Sequence, residues 1–178
     1  MCIRDSPYVD RLHGGYYTPD EARRSNAKNL ADIVLFFPHC ASVDAFQQWS
    51  YVDPDGRDAS ARDRKWLELR HRFEGDLVDW TGLAAERIAR WYQQPHFFAS
   101  PFYYIEYGIA QLGALQVWRN SLTDRTGAVR RYREALALGA TRSLPELFEA
   151  AGARLIFDRE GMHELISLVE EELAKAGE

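Results

Sequence analysis

The segment His96-Phe97-Phe98-Ala99-Ser100-Pro101-Phe102-Tyr103-Tyr104-Ile105-Glu106-Tyr107 is the richest candidate for chemistry in the sequence. Tyr103 and Tyr107 are four residues apart, so on a helix their hydroxyls lie on one face, a turn apart. His96 stands in the loop just before that helix. Two neutral phenols and an imidazole converging near a helix N-terminus form a set of donors able to hold a peptide carbonyl or stabilise an oxyanion. The competing reading is a stripe of core aromatics whose hydroxyls are satisfied inside the fold. Glu106 reads as an ion-pair or hydrogen-bond partner within the bundle, because a buried carboxylate needs one.

Metal-binding patterns fail on spacing. His163-Glu164 opens like a zinc-binding H-E-x-x-H, but the second histidine would have to stand where Ser167 does. Glu68-Leu69-Arg70-His71 and Glu160-Gly161-Met162-His163 are E-x-x-H pairs of the di-iron bundle type. At about 100° per residue, Glu68 and His71 lie roughly 140–200° from Trp66, and Glu160 and His163 roughly 100–160° from Met162 and its apolar partners. Both pairs are therefore expected to face water. Two further residues are expected to be structural. Asp44 is suited to capping a helix broken at Pro38 or to orienting a neighbouring ring. Cys40, beside His39, is expected to be buried and inert, as lone cysteines mostly are.

The elements that must position these groups read as helices throughout. Thr18-Pro19-Asp20-Glu21 is a capping box with Pro at the first helical position. Leu30, Ile33, Val34, Phe37 and Ala41 follow at helical spacing, and Pro38 is expected to kink or break the helix. Asp53-Pro54-Asp55-Gly56 is a turn signal. Ser60 and Asp63 are expected to open a helix with Trp66, Leu69, Phe73, Leu77 and Trp80 on one face. A shorter segment spans 83–92, and Gln93-Gln94-Pro95-His96 breaks it. Ser100-Pro101 reads as an N-cap and first residue of a buried helix reaching about Leu122, with Gly108, Ala110, Gly113 and Ala114 allowing close approach. Helices over 125–138, after Ser143 and from about Asp158 to Ala174 complete an all-α fold of seven or so helices. No strand alternation or internal repeat shows.

Composition narrows the function classes. The chain has 178 residues, of which 46% are hydrophobic, 28% charged and 13% aromatic, so it is not disordered as a whole. A net charge of −5 lacks the basic footprint of nucleic-acid binding. The apolar run Ile33–Phe37 is far short of a membrane span. Cys2 and Cys40 make no disulfide framework, which fits a cytoplasmic protein. Met1-Cys2-Ile3-Arg4-Asp5-Ser6 has no periodicity and reads as an adapter-derived leader or a frayed terminus.

Three stretches resemble the C-terminal part of the oligoendopeptidase F and thimet oligopeptidase family of zinc metallopeptidases. They are Leu35–Pro38 through Val43-Asp44-Ala45-Phe46-Gln47-Gln48-Trp49, then His96 through Gln116, and Leu144-Pro145-Glu146-Leu147-Phe148-Glu149-Ala150-Ala151-Gly152. The resemblance runs from about Ser6 to the C-terminus. It implies an irregular all-α array, the C-terminal part of a larger helical domain with a deep channel for short peptides. It also implies zinc held by H-E-x-x-H and a downstream Glu, the motif Glu acting as general base. Tyr103 and Tyr107 would stabilise the tetrahedral intermediate, and His96 and Tyr104 would bind substrate.

No H-E-x-x-H occurs in this sequence, so the zinc ligands are expected upstream of residues 7–178, which then form one part of the catalytic domain. Ala99-Ser100-Pro101 replaces the glycine-rich loop of the thimet oligopeptidase branch and favours the oligoendopeptidase F side. The expectation is a part of an enzyme that hydrolyses internal bonds of short peptides. Alone it binds no zinc and is inactive; its partners are peptide substrates and the upstream remainder of the same domain. The alternative is a self-contained helical binding domain that uses the His/Tyr face for a peptide or small ligand.

Overall fold

The structure, a computed structural model, describes residues 16–177. The leader expected over Met1–Ser6 lies outside the described residues. Those residues form eight α-helices and two single-turn 3₁₀ segments, with no strand. The α-helices are α1 Pro19–Val52, α2 Ala59–Glu74, α3 Ala84–Ala89, α4 His96–Ala99, α5 Ile105–Thr123, α6 Arg125–Leu138, α7 Leu144–Ala150 and α8 Arg159–Gly177. The 3₁₀ turns are Pro54–Arg57 and Arg90–Gln93.

Local chemistry sets most boundaries. Thr18 and Glu21 start α1 reciprocally: Glu21 Oε2 accepts from the Thr18 amide at 2.8 Å, and Thr18 Oγ1 accepts from the Glu21 amide at 3.3 Å. Asp124 Oδ1 accepts from the Gly127 amide at 2.9 Å to cap α6, and Asp158 Oδ1 caps α8 through the Gly161 amide at 2.7 Å. Before α7, the Glu146 carboxylate accepts from the amide and hydroxyl of Ser143 at 2.8 and 2.6 Å. Gly75, Gly139 and Gly152 end α2, α6 and α7 at φ of +62°, +55° and +74°, where a Cβ would be strained.

Three expectations are corrected. The helix does not break at Pro38; α1 runs through it. Proline in a helix interior costs about 3 kcal/mol. Ile33 before it and Cys40, Val43 and Phe46 after it are all buried, and that burial outweighs the cost. Asp44 therefore has no broken helix to cap. The second helix opens at Asp58, whose Oδ1 accepts from the Ala61 amide at 2.7 Å, rather than at Ser60. Gly75 ends it, so Leu77 and Trp80 are not on its face. Finally, Ser100-Pro101 does not start a helix. It forms a turn, the Tyr103 amide donating to Ser100 O at 3.3 Å, and α5 begins at Ile105.

The chain divides into two compact units. One is Leu35–Gly108; the other joins the segment before it, up to Val34, to Ile109 onward. The core of the first is aromatic. Phe46 meets Trp66, Trp91 and Phe97 at centroid distances of 5.5, 5.4 and 4.9 Å, tilted or edge-on contacts worth about 0.5–1.5 kcal/mol each beyond burial. Trp91 Nε1 donates to Asp63 Oδ1 at 2.9 Å, which satisfies the buried indole. In the second unit Leu115 and Trp118 of α5 and Leu165 and Val169 of α8 are buried. Gln116 exchanges two hydrogen bonds with the backbone of Arg154, at 2.8 and 3.0 Å.

Candidate functional site

His96, Tyr103, Tyr104 and Tyr107 come together in the first unit. Pro95 starts the single turn of α4, which carries His96. The Ser100–Tyr103 turn then reverses the chain, so that Tyr103 precedes α5 while Tyr104 and Tyr107 flank its start. The turn has Pro at its second position and Phe102 at its third, with φ of +60°. That is a left-handed conformation that bulky residues rarely adopt, held here within a candidate site. The Phe102 ring packs on Tyr51 at 5.0 Å.

His96 sits at the centre of the tyrosines. Its ring is edge-on to Tyr107 and Tyr104 at 5.7 and 5.0 Å and nearly parallel to Tyr103 at 6.4 Å. Tyr103 and Tyr107 meet at 5.7 Å although only Tyr107 is helical. Tyr107 Oη lies 3.4 Å from His96 Nε2. Tyr103 and Tyr107 are 52% and 44% exposed, which removes them from the core. Tyr104 is half-buried, and burial first, then Cys40 and Tyr107, pushes its pKa upward. It is therefore a phenol at physiological pH. Glu106 is exposed, so it is no buried partner within the bundle.

A polar layer that no sequence pattern signalled lies behind these rings. Gln94 Nε2 stands 2.8 Å from His96 Nδ1, and Gln47 Nε2 donates to His96 O at 3.3 Å. Arg70 Nη1 donates to His39 Nδ1 at 2.7 Å and also pairs with Glu74. His39 Nδ1 lies 3.9 Å from Glu74 Oε1. This contact is not an ion pair near neutral pH, because burial and then the Arg70 and Arg90 charges push the His39 pKa down to about 4. His39, Arg70 and Glu74 line a cavity of about 350 Å³ together with Leu77, Val78 and Arg90. Cys40 is buried, and its thiol is pushed up to about 11, chiefly by desolvation, so it is no nucleophile at neutral pH. Asp44 is partly desolvated and its carboxyl is raised.

Glu68, His71, Glu160 and His163 are all exposed. Among the described residues no three His, Cys, Asp or Glu side chains come together in a group that could hold a metal ion. The described residues thus do not fit a zinc site, and no chemical step is assigned to a metal on them. No helix among them is long and apolar enough to cross a membrane.

The fold has solved counterparts. Pz peptidase A, in a complex with an inhibitor, superposes with a TM-score of 0.81 at 24% identity, over 97% of this chain and 30% of that one. A protein provisionally named oligoendopeptidase F superposes with a TM-score of 0.78 at 28% identity, over 95% of this chain and 29% of that one. The chain thus spans less than a third of the length of either. No curated protein matches it. The sequence profile of Peptidase family M3 matches residues 15–165, and the chain belongs to that family.

Proposed function

We propose that this chain is the C-terminal helical part, residues 7–178, of a cytoplasmic zinc oligopeptidase that cleaves internal bonds of short peptides. It forms one wall of the substrate channel. Zinc, its ligands and the general base belong to chain outside these residues. Tyr103 and Tyr107 donate to the peptide carbonyl oxygen as negative charge develops on it, and His96 and Tyr104 hold the substrate beside them. The observation carrying this reading is the contact of His96 with all three tyrosines while Tyr103 and Tyr107 stay open to solvent. Membership of the M3 family favours this reading over a self-contained binding domain.

The test has two arms. The isolated chain should bind no stoichiometric zinc and cleave no quenched short peptide; either activity overturns the proposal. In the intact enzyme, Tyr103→Phe or Tyr107→Phe should lower kcat, by about 10²–10³ for the hydroxyl that serves the oxyanion. Unchanged kcat in both variants overturns the assignment of the tyrosines.

A further inference from the structure

The polar layer behind His96 has a direction. Arg70 can only donate, so His39 Nδ1 must accept and the neutral His39 ring carries its proton on Nε2. The Gln94 amide nitrogen, which has only protons to offer, stands 2.8 Å from His96 Nδ1. His96 Nδ1 therefore accepts, and its single proton sits on Nε2, on the side facing Tyr107 Oη at 3.4 Å.

We propose that Gln94 is a positioning residue that fixes His96 as the Nε2–H tautomer, so that it meets a peptide substrate as a hydrogen-bond donor. Gln94 acts through His96 and not on the substrate itself. The fixed polarity makes His96 a match for a carbonyl oxygen and a mismatch for an amide N–H. This rests on the reading of His96 as a substrate-binding group only for its use; the tautomer itself is a property of the chain alone.

The experiment reads that tautomer without reference to activity. The isotope-labelled 178-residue chain is examined by long-range proton–nitrogen correlation at about pH 8.5, where an ordinary imidazole is neutral. His96 should show a protonated Nε2 and a bare Nδ1, in about tenfold excess over the other form, a ratio one neutral hydrogen bond sustains. Gln94→Glu puts an acceptor where the donor was and should move the proton to Nδ1. Gln94→Leu should relax the ratio toward that of free imidazole. A proton on Nδ1 in the unaltered chain overturns the proposal, and so does a ratio indifferent to Gln94→Glu. If Gln94→Glu fails to fold, Gln94→Leu carries the same comparison. A His96 tautomer that behaves as expected beside an intact enzyme indifferent to His96→Gln would instead fault the substrate-binding role.

Discussion

A Cβ on Gly108 would stand 3.1 Å from Cys40 Sγ. The first turn of α5, which carries Tyr107, therefore meets α1 through a thiol. Gly108→Ala forces the sulfur to shift and should destabilise the chain by about 1–3 kcal/mol in denaturant unfolding. Adding Cys40→Ala removes the obstructing atom. The double variant should therefore recover part of the loss, and the non-additivity measures the contact itself.

The turn before α5 makes a second, less intuitive prediction. Phe102 holds φ of +60°, which glycine adopts freely and a β-branched residue does not. Phe102→Gly removes a ring that packs on Tyr51 yet relieves the backbone, and should change stability by less than about 1 kcal/mol. Phe102→Val should cost more than Phe102→Gly, by about 1–3 kcal/mol. Thermal unfolding of the two variants side by side checks the order.

His39 should make stability depend on pH in a definite direction. Its folded pKa, about 4, is below the ordinary 6.5. Between those values the unfolded chain holds a proton that the folded chain does not, so this group's contribution is present above pH 6.5 and is lost as pH falls toward 4. Asp44 and Glu74, whose carboxyls are raised, act in the opposite sense. His39→Gln leaves both in place. It should flatten the fall on the acid side by at most about 1.4 kcal/mol per pH unit, the slope of one proton. Parallel pH titrations of unfolding free energy in the two chains measure the difference.

Exposure separates the tyrosines. Tyr103→Phe and Tyr107→Phe should each leave stability within about 0.5 kcal/mol, because both residues are exposed. Tyr104→Phe removes the hydroxyl of a half-buried phenol and should cost more than either, about 1 kcal/mol. Chemical denaturation of the three variants gives the ranking directly.

What could be read in advance follows the range of the interactions. Capping boxes at Thr18 and Ser143 and the glycine stop at Gly139 act within four residues, and the chain obeys them. The pair Ser100-Pro101 misled because Ser then Pro also suits the first two positions of a turn. The choice between the two uses was made by the packing of the α4 turn: Phe97 is buried against Phe46, which holds the chain back until Tyr103. The convergence of His96, Tyr103 and Tyr107 was legible because all three lie in one short stretch. The layer behind them was not. His39 and Arg70 are 31 residues apart, and neither carries a pattern that names the other. Gln94 offered a faint signal as a polar residue two before the histidine, across a proline that fixes the backbone.

The division of the chain also bears on how the molecule is made. Leu35–Gly108 is one uninterrupted stretch, whereas the other unit joins segments on either side of it. Closing the second unit requires bridging that whole stretch, and long closures are slow because their entropy is lost before the contacts that reward it exist. During synthesis the uninterrupted stretch emerges complete before α6 to α8 exist. His96, Tyr103 and Tyr107, with the Arg70–His39–Gln94 layer behind them, can thus be assembled early, while the first half of α1 is still waiting for its partners.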